Sequence, residues 1–196
     1  MGNISIPFLP EETVGDGVAY LGVDPGAEGG LAVVRRSALH SAYRGVIGLD
    51  PVSDVDICRR PETDTDLLEL LQGYADRGVW HAALEQQIPR PTRWFDRVRG
   101  TWTSSILKST CLLYGDYLRL RMALAAAGIS IEIVTPQVWQ KALSIPPRKK
   151  EEGRTSWKNR LKAKAQQLFP GVRVTLATAD ALLLAVYCQR KREGRL

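Results

Sequence analysis

The chain has 196 residues, 44% of them hydrophobic and 24% charged, which is ordinary for a globular protein and enough for one α/β domain with a sizeable core. No apolar run reaches the roughly 18 to 20 residues that span a bilayer, and the opening MGNISIPFLPEETVGDG lacks the features of a secretory signal or an organelle transit peptide. The net charge of +6 hides an asymmetry: residues 1–87 carry 6 Lys/Arg against 14 Asp/Glu, and residues 88–196 carry 21 against 7. A basic half of this kind points to a polyanionic partner, and nucleic acid fits it better than a membrane. The three cysteines, Cys58, Cys111 and Cys188, are widely and irregularly spaced. They read as reduced, buried thiols of a cytoplasmic protein, not as a disulfide framework or a zinc site.

Residues 1–16 read as a loose tail, with 17–196 as a single domain. VAYLGVD (18–24) is a strand-length apolar run that ends at Asp24-Pro25-Gly26, and GGLAVVRR (29–36) is its hairpin partner. A third strand is expected within 41–49, followed by an irregular stretch of prolines and acids at 51–62. TDTDLLELLQGYADRG (63–78) has a cap signal, a helical apolar stripe and a terminal glycine. VWHAALEQQ (79–87) is a buried strand that turns polar at Glu85, and a basic, Pro-rich loop follows over 88–102. A long helix is expected from about Ser104 to Ala127, a strand at 129–135 and a short helix at 136–142. Two more helices follow, one at 155–168 capped by Thr155 or Ser156 and one from Thr178 to Arg192. A three-strand meander leading into alternating helices and strands predicts a mixed five-stranded sheet flanked by helices on both faces, the ribonuclease H-like order.

Three acids close or open elements of this scheme. Asp24 ends the first strand, Glu85 ends HAALE, and Asp180 lies in the first turn of the apolar helix ADALLLAVY. Each has a plainer reading alone: a turn-starting Asp, a strand emerging into solvent, and an acid complementing a helix dipole. Together they fall on the elements that would converge in this topology. Converging carboxylates suit a hard divalent cation, and two ions about 4 Å apart would activate water and stabilise a leaving oxygen.

GVDPGAEGGLAVV resembles the first motif of the RuvC group of Holliday junction resolvases, in the ribonuclease H-like superfamily. ALEQQ resembles its second motif, TPQVWQKAL the region of a phosphate-contacting lysine, and ADALLLAVY its last motif. The similarity runs from about 18 to 192 and looks most like the phage-type and plant-chloroplast resolvases. The resemblance implies a homodimer that resolves four-way DNA junctions with Mg²⁺ or Mn²⁺, two ions per site, leaving 5′-phosphate and 3′-hydroxyl ends. It implies that Asp24, Glu85 and Asp180 hold metal and that Lys141 and Lys158 face the scissile phosphate. It also implies work on DNA in the cytoplasm, at the nucleoid of a bacterial or phage-infected cell. The alternatives are a related nuclease acting on other branched DNA or on hybrids, and a catalytically weakened junction-binding protein. An actin-like ATPase would need a longer chain and a second glycine-rich phosphate loop. One departure stands out: the group commonly has a fourth acid, or a histidine, one turn before the last motif's acid. Here that stretch is TLAT, with Leu176 and Ala177. Either three acids suffice, or Glu28 substitutes, or the copy is weakened. Neither histidine replaces the missing acid: His81 reads as a core residue and His40 as part of a turn.

Three basic segments surround the predicted site, the last of them the tail QRKREGRL, which would add nonspecific attraction. The loop 88–102 offers Arg90, Arg93, Arg97 and Arg99 among Trp94, Phe95 and Trp102. The arginines would neutralise phosphates, and Trp94 or Phe95 would contact unstacked bases at a crossover or else pack the loop onto the core. PPRKKEEGRTSWKNRLKAK (146–164) has 8 Lys/Arg against 2 acids, including Arg148, Lys149, Lys150, Lys158 and Lys162. Its plainer reading is a solvated basic helix, with Trp157, Leu161, Ala165 and Leu168 as the buried stripe. The long helix is apolar round much of its surface, which suits either the core or a subunit interface.

Overall fold

In a computed structural model, the structure describes residues 18–26, 29–36, 52–89, 92–105 and 108–196. The main sheet contains β1 (Ala19–Val23), β2 (Gly30–Arg36), β3 (Val52–Arg59), β4 (Val79–Glu85) and β7 (Ser130–Val134), in the order β3-β2-β1-β4-β7. The β3-β2-β1 side is antiparallel, and β1-β4-β7 is parallel. A separate two-stranded sheet pairs β5 (Thr92–Asp96) with β6 (Thr101–Ser105). The helices are α1 (Asp64–Asp76), α2 (Lys108–Ala126), α3 (Pro136–Ala142), α4 (Arg154–Leu168) and α5 (Ala179–Arg192).

Side chains alternate across a strand, and this sorts the core into two layers. Ala19, Leu21 and Val23 of β1 join Ala82 and Leu84 of β4 against Leu67, Leu71 and Tyr74 of α1 and Leu120 and Leu124 of α2. Tyr20 and Ala83 point the other way, into a layer with Trp139, Trp157, Leu161 and the length of α5. Residues Ala179 to Gln189 of α5 are all buried, as its apolar sequence demands. Gly22 lets this helix seat directly on β1: a Cβ there would lie 2.0 Å from the Ala181 carbonyl oxygen and 2.3 Å from the Ala185 nitrogen. The mixed five-stranded sheet with helices on both faces is the expected architecture.

Several local expectations are corrected. The third strand of the sheet is β3, at Val52–Arg59, inside the stretch read as irregular. Its acids alternate with Val55 and Ile57, which pack on the α5 side. The tail, the strand sought at 41–49, His40, Glu28 and Arg90 lie outside the described residues. The basic loop contains the β5–β6 hairpin, whose Thr-rich and aromatic strands flank a turn closed by Gly100 at φ 61°. Because β6 runs to Ser105, α2 starts at Lys108 and not at Ser104. The N-cap of α4 is Gly153, and no side chain caps the helix. Thr63 does cap α1, accepting a hydrogen bond from the Asp66 nitrogen at 3.1 Å. Of the three cysteines only Cys188 is buried: Cys58 is half-buried, and Cys111 is exposed on the outer face of α2.

Candidate active site

Alternation also decides where the acids point. Asp24 continues the Tyr20–Gly22 face of β1, and Glu85 continues the Ala83 face of β4, so both face α5. The strands are paired in parallel with Val23 opposite Leu84, which sets Asp24 beside Glu85 one step further along. The close approach at Gly22 brings the first turn of α5, with Asp180, over the same strand ends. Asp24, Glu85 and Asp180 together line a cleft of about 780 Å³, with Lys158, Arg154 and Gln87 among the other lining residues.

Each carboxylate is held by a protein donor. The Gly26 nitrogen donates to Asp24 Oδ1 at 2.9 Å, fixing the side chain over its own turn. Arg60 braces that turn, donating to the Pro25 carbonyl at 3.5 Å and pairing with Asp116 of α2 at 3.1 Å. Trp139 Nε1 donates to Glu85 Oε2 at 3.0 Å, and Gln87 Nε2 reaches Oε1 at 3.5 Å. Lys158 Nζ donates to Asp180 Oδ2, while Asp180 Oδ1 is buried with no hydrogen-bond partner.

The electrostatics follow from burial and crowding. Burial, with the charges of Asp24 and Asp180, pushes Glu85 up to about 8 against the opposing Trp139 hydrogen bond and Lys158 charge. Burial also raises Asp180, and Lys158 only partly offsets it. Lys158 is itself penalised by burial, but Asp180, Asp24 and Glu85 outweigh the penalty and hold its ammonium above the usual range.

Among the described residues, no three His, Cys, Asp or Glu side chains are already gathered as a cage that could hold a metal ion. The donor set nonetheless suits a hard cation. It consists of oxygens only, it lies at rigid strand and helix ends, and it includes the orphaned Asp180 Oδ1.

The structure brings Asp24, Glu85, Asp180 and Lys158 together. Lys141 is exposed in the last turn of α3 and does not line the cleft. It lies two residues from the buried Trp139, roughly 200° round the helix, so the two face apart. Lys162 is half-buried one turn beyond Lys158 on α4, and Arg148, Lys149 and Lys150 are exposed before that helix. Arg93 and Trp94 lie on β5, while Phe95, Arg97 and Arg99 are exposed on the hairpin. His81 is half-buried on β4 away from the cleft, its pKa lowered by burial and by Arg192. The sequence reading missed Trp139 and Arg154. Nothing in TPQVWQKAL distinguishes Trp139 from an ordinary core aromatic, although a buried indole N–H needs an acceptor. Arg154 was one cation in a long basic run. Leu176 and Ala177, at the position of the absent fourth acid, form part of the cleft wall.

No family model and no curated relative matches the chain. Among solved structures it is similar to Thermus thermophilus RuvC in complex with Holliday junction substrate, with 15% identity and a TM-score of 0.51 over 91% of this chain and 98% of that one. It is also similar to a second Thermus thermophilus RuvC structure, with 14% identity and a TM-score of 0.50 over the same shares. The chain therefore has the ribonuclease H-like fold of RuvC, and among the described residues Asp24, Glu85 and Asp180 line its cleft at the ends of β1 and β4 and at the start of α5.

Proposed function

We propose that the protein is a divalent-metal-dependent endonuclease that resolves four-way DNA junctions as a homodimer, in the cytoplasm of a bacterial or phage-infected cell. The observation that carries this reading is the meeting of Asp24, Glu85 and Asp180 in one cleft beside Lys158. The RuvC fold supports it, since one of the similar structures is a RuvC–Holliday junction complex.

In this reading the three carboxylates hold the cation. A bound divalent ion supplies water acidified toward neutrality and polarises the phosphoryl oxygen. The chain's own residues do the rest. Trp139 and Gly26 fix the directions of the Glu85 and Asp24 carboxylates. Lys158 and Arg154 line the cleft, where their charges would stabilise charge developing on the phosphate during in-line attack. Arg148, Lys149, Lys150 and Lys162 extend the positive surface along the backbone, and Arg97 and Arg99 present the hairpin to DNA. Cleavage leaves 5′-phosphate and 3′-hydroxyl ends. The exposed apolar face of α2 offers a twofold interface, which would set two clefts on opposed strands.

The test is cleavage of a labelled mobile four-way junction with Mg²⁺, Mn²⁺ or EDTA, beside flap and hybrid substrates. Paired cuts in the junction that EDTA abolishes are expected. Asp24→Asn should stop cutting and still bind the junction in a gel shift, and wild-type cutting by this variant would falsify the assignment. The apolar wall at Leu176 and Ala177 favours one rival, a junction-binding protein with weakened catalysis. Tight, metal-independent binding with no cleavage by the unaltered chain would establish that rival.

A further inference from the structure

We infer that the turn from Lys149 to Glu152 is a preorganised seat for the phosphodiester backbone of the strand entering the cleft, and that Glu152, paired with Arg160, is the positioning residue that holds its shape. The inference deepens the nuclease reading above and rests on it.

Glu152 is an acid within a basic stretch, and its side chain is only 13% exposed. Arg160 grips the carboxylate as a fork, with Nε donating to Oε1 at 3.2 Å and Nη2 to Oε2 at 2.7 Å. Such a bidentate pair fixes geometry as well as contributing energy. The Lys149 nitrogen donates to Oε2 at 3.3 Å, and the Glu152 nitrogen donates to the Lys149 carbonyl at 3.1 Å. One residue thus closes the turn twice, through its side chain and its backbone. Arg148 Nε donates to the Glu152 carbonyl at 2.9 Å, which anchors that guanidinium by its inner nitrogen alone.

Arg160 ties this turn to the body of the protein. Its guanidinium also donates to the Pro146 and Pro147 carbonyls at 3.2 and 3.3 Å, and it lies 4.4 Å from the centre of the Trp157 ring, a core residue of α4. With four oxygens and an indole as partners, Arg160 is a brace and not a phosphate contact. The fixed φ of the two prolines stiffens the lead-in. What the turn presents is Arg148, Lys149 and Lys150, all exposed, and the chain runs from it into Arg154, which lines the cleft. A loose loop would lose backbone entropy each time these cations met a phosphate, whereas a turn already held has little left to lose.

Charge alone makes the opposite prediction. Exposed Glu151 is the neighbour of Glu152 and carries the same charge, so simple electrostatics has either acid oppose DNA and its removal tighten binding. The experiment measures binding of a labelled four-way junction and of a duplex by fluorescence anisotropy over a salt series. It uses the full chain with Asp24→Asn and Mg²⁺, so that the junction stays uncut. Adding Glu151→Gln should leave affinity equal or raise it by up to about threefold. Adding Glu152→Gln should lower it by about tenfold and flatten the log–log salt slope by about one to two, despite the same gain in charge. Arg160→Lys keeps the charge and loses the fork, so it should weaken binding in the same way. If Glu152→Gln binds as tightly as Glu151→Gln, the inference is overturned and the nuclease reading stands. Weaker binding with an unchanged salt slope also overturns it, because a smaller folded fraction lowers affinity without removing phosphate contacts. A background chain that binds neither junction nor duplex would sink both readings together.

Discussion

Trp139 Nε1 donates to Glu85 Oε2 at 3.0 Å, joining the short helix after β7 to the end of β4. The indole is fully buried, so its N–H needs an acceptor, and the carboxylate gains a donor that favours its ionised form. Trp139→Phe keeps an aromatic ring in the core and removes the donor. A hydrogen bond to a charged group contributes about 1.5–3 kcal/mol, equivalent to roughly one to two pH units. The alkaline-going rise of junction cleavage at fixed Mg²⁺ should move to higher pH by about that much. An unmoved pH–rate profile would show that the bond does not govern Glu85.

Metal-free stability should depend on Glu85 in a defined direction. Its folded pKa, about 8, lies above the usual 4.5. The stability linked to the bound proton is therefore complete below about pH 4.5 and is lost as pH rises through about 8. The loss is on the order of a few kcal/mol. Thermal melting in EDTA should fall between pH 5.5 and 8.5 for the unaltered chain and stay nearly level for Glu85→Gln. Mg²⁺ should restore stability chiefly at the alkaline end. A melting temperature of the unaltered chain that rises across this interval would contradict the burial of Glu85 and its repulsion by Asp24 and Asp180.

The acids were legible because strand alternation and element ends can be read from residues alone. VAYLGVD and HAALE announce two buried strands, each delivering its acid to the same face. What joins them was not legible in this way. Gly22 matters because a helix backbone rests on it, and nothing in VAYLGVD announces α5. The sequence of α3 does not say which acceptor the Trp139 indole meets. The β5–β6 hairpin was hidden because its arginines follow a Pro-rich lead-in and read as a basic loop, although Thr and aromatic residues carry its strand preference. β3 was similarly obscured by its acids, which alternate with the apolar positions that fix its register.

The hairpin gives the proposed DNA contact a specific test. Val98 is 96% exposed at the turn between Arg97 and Arg99, and Phe95 is 49% exposed below it. If the chain binds four-way junctions as proposed, this exposed turn is the part of the hairpin expected to meet the junction centre. Replacing both arginines with Ala should flatten the salt dependence of binding by roughly two in the log–log slope. Phe95→Ala should weaken junction binding by about 1–3 kcal/mol if the ring stacks on a base, with little effect on duplex binding. Equal losses for junction and duplex would exclude such a reading role.

The outer face of α2 should be the subunit interface. Cys111, Gly115, Leu118 and Met122 follow one another at helical spacing along exposed surface, with Leu112 beside them, and Met122 is 69% exposed. Gly115 has open space where a Cβ would be, so no internal contact requires a residue that costs this helix about 1 kcal/mol relative to Ala. Close approach by a second copy of the helix gives it a use. In a twofold interface each side chain counts twice, so losing about 1.5–3 kcal/mol of Met122 burial per copy weakens the dimer at least 100-fold or so. Met122→Asp should therefore run as a monomer in light scattering at micromolar concentration. Its core is untouched, so far-ultraviolet circular dichroism should be unchanged. On a junction it should nick single strands without pairing the cuts. A dimer that survives Met122→Asp would place the interface elsewhere.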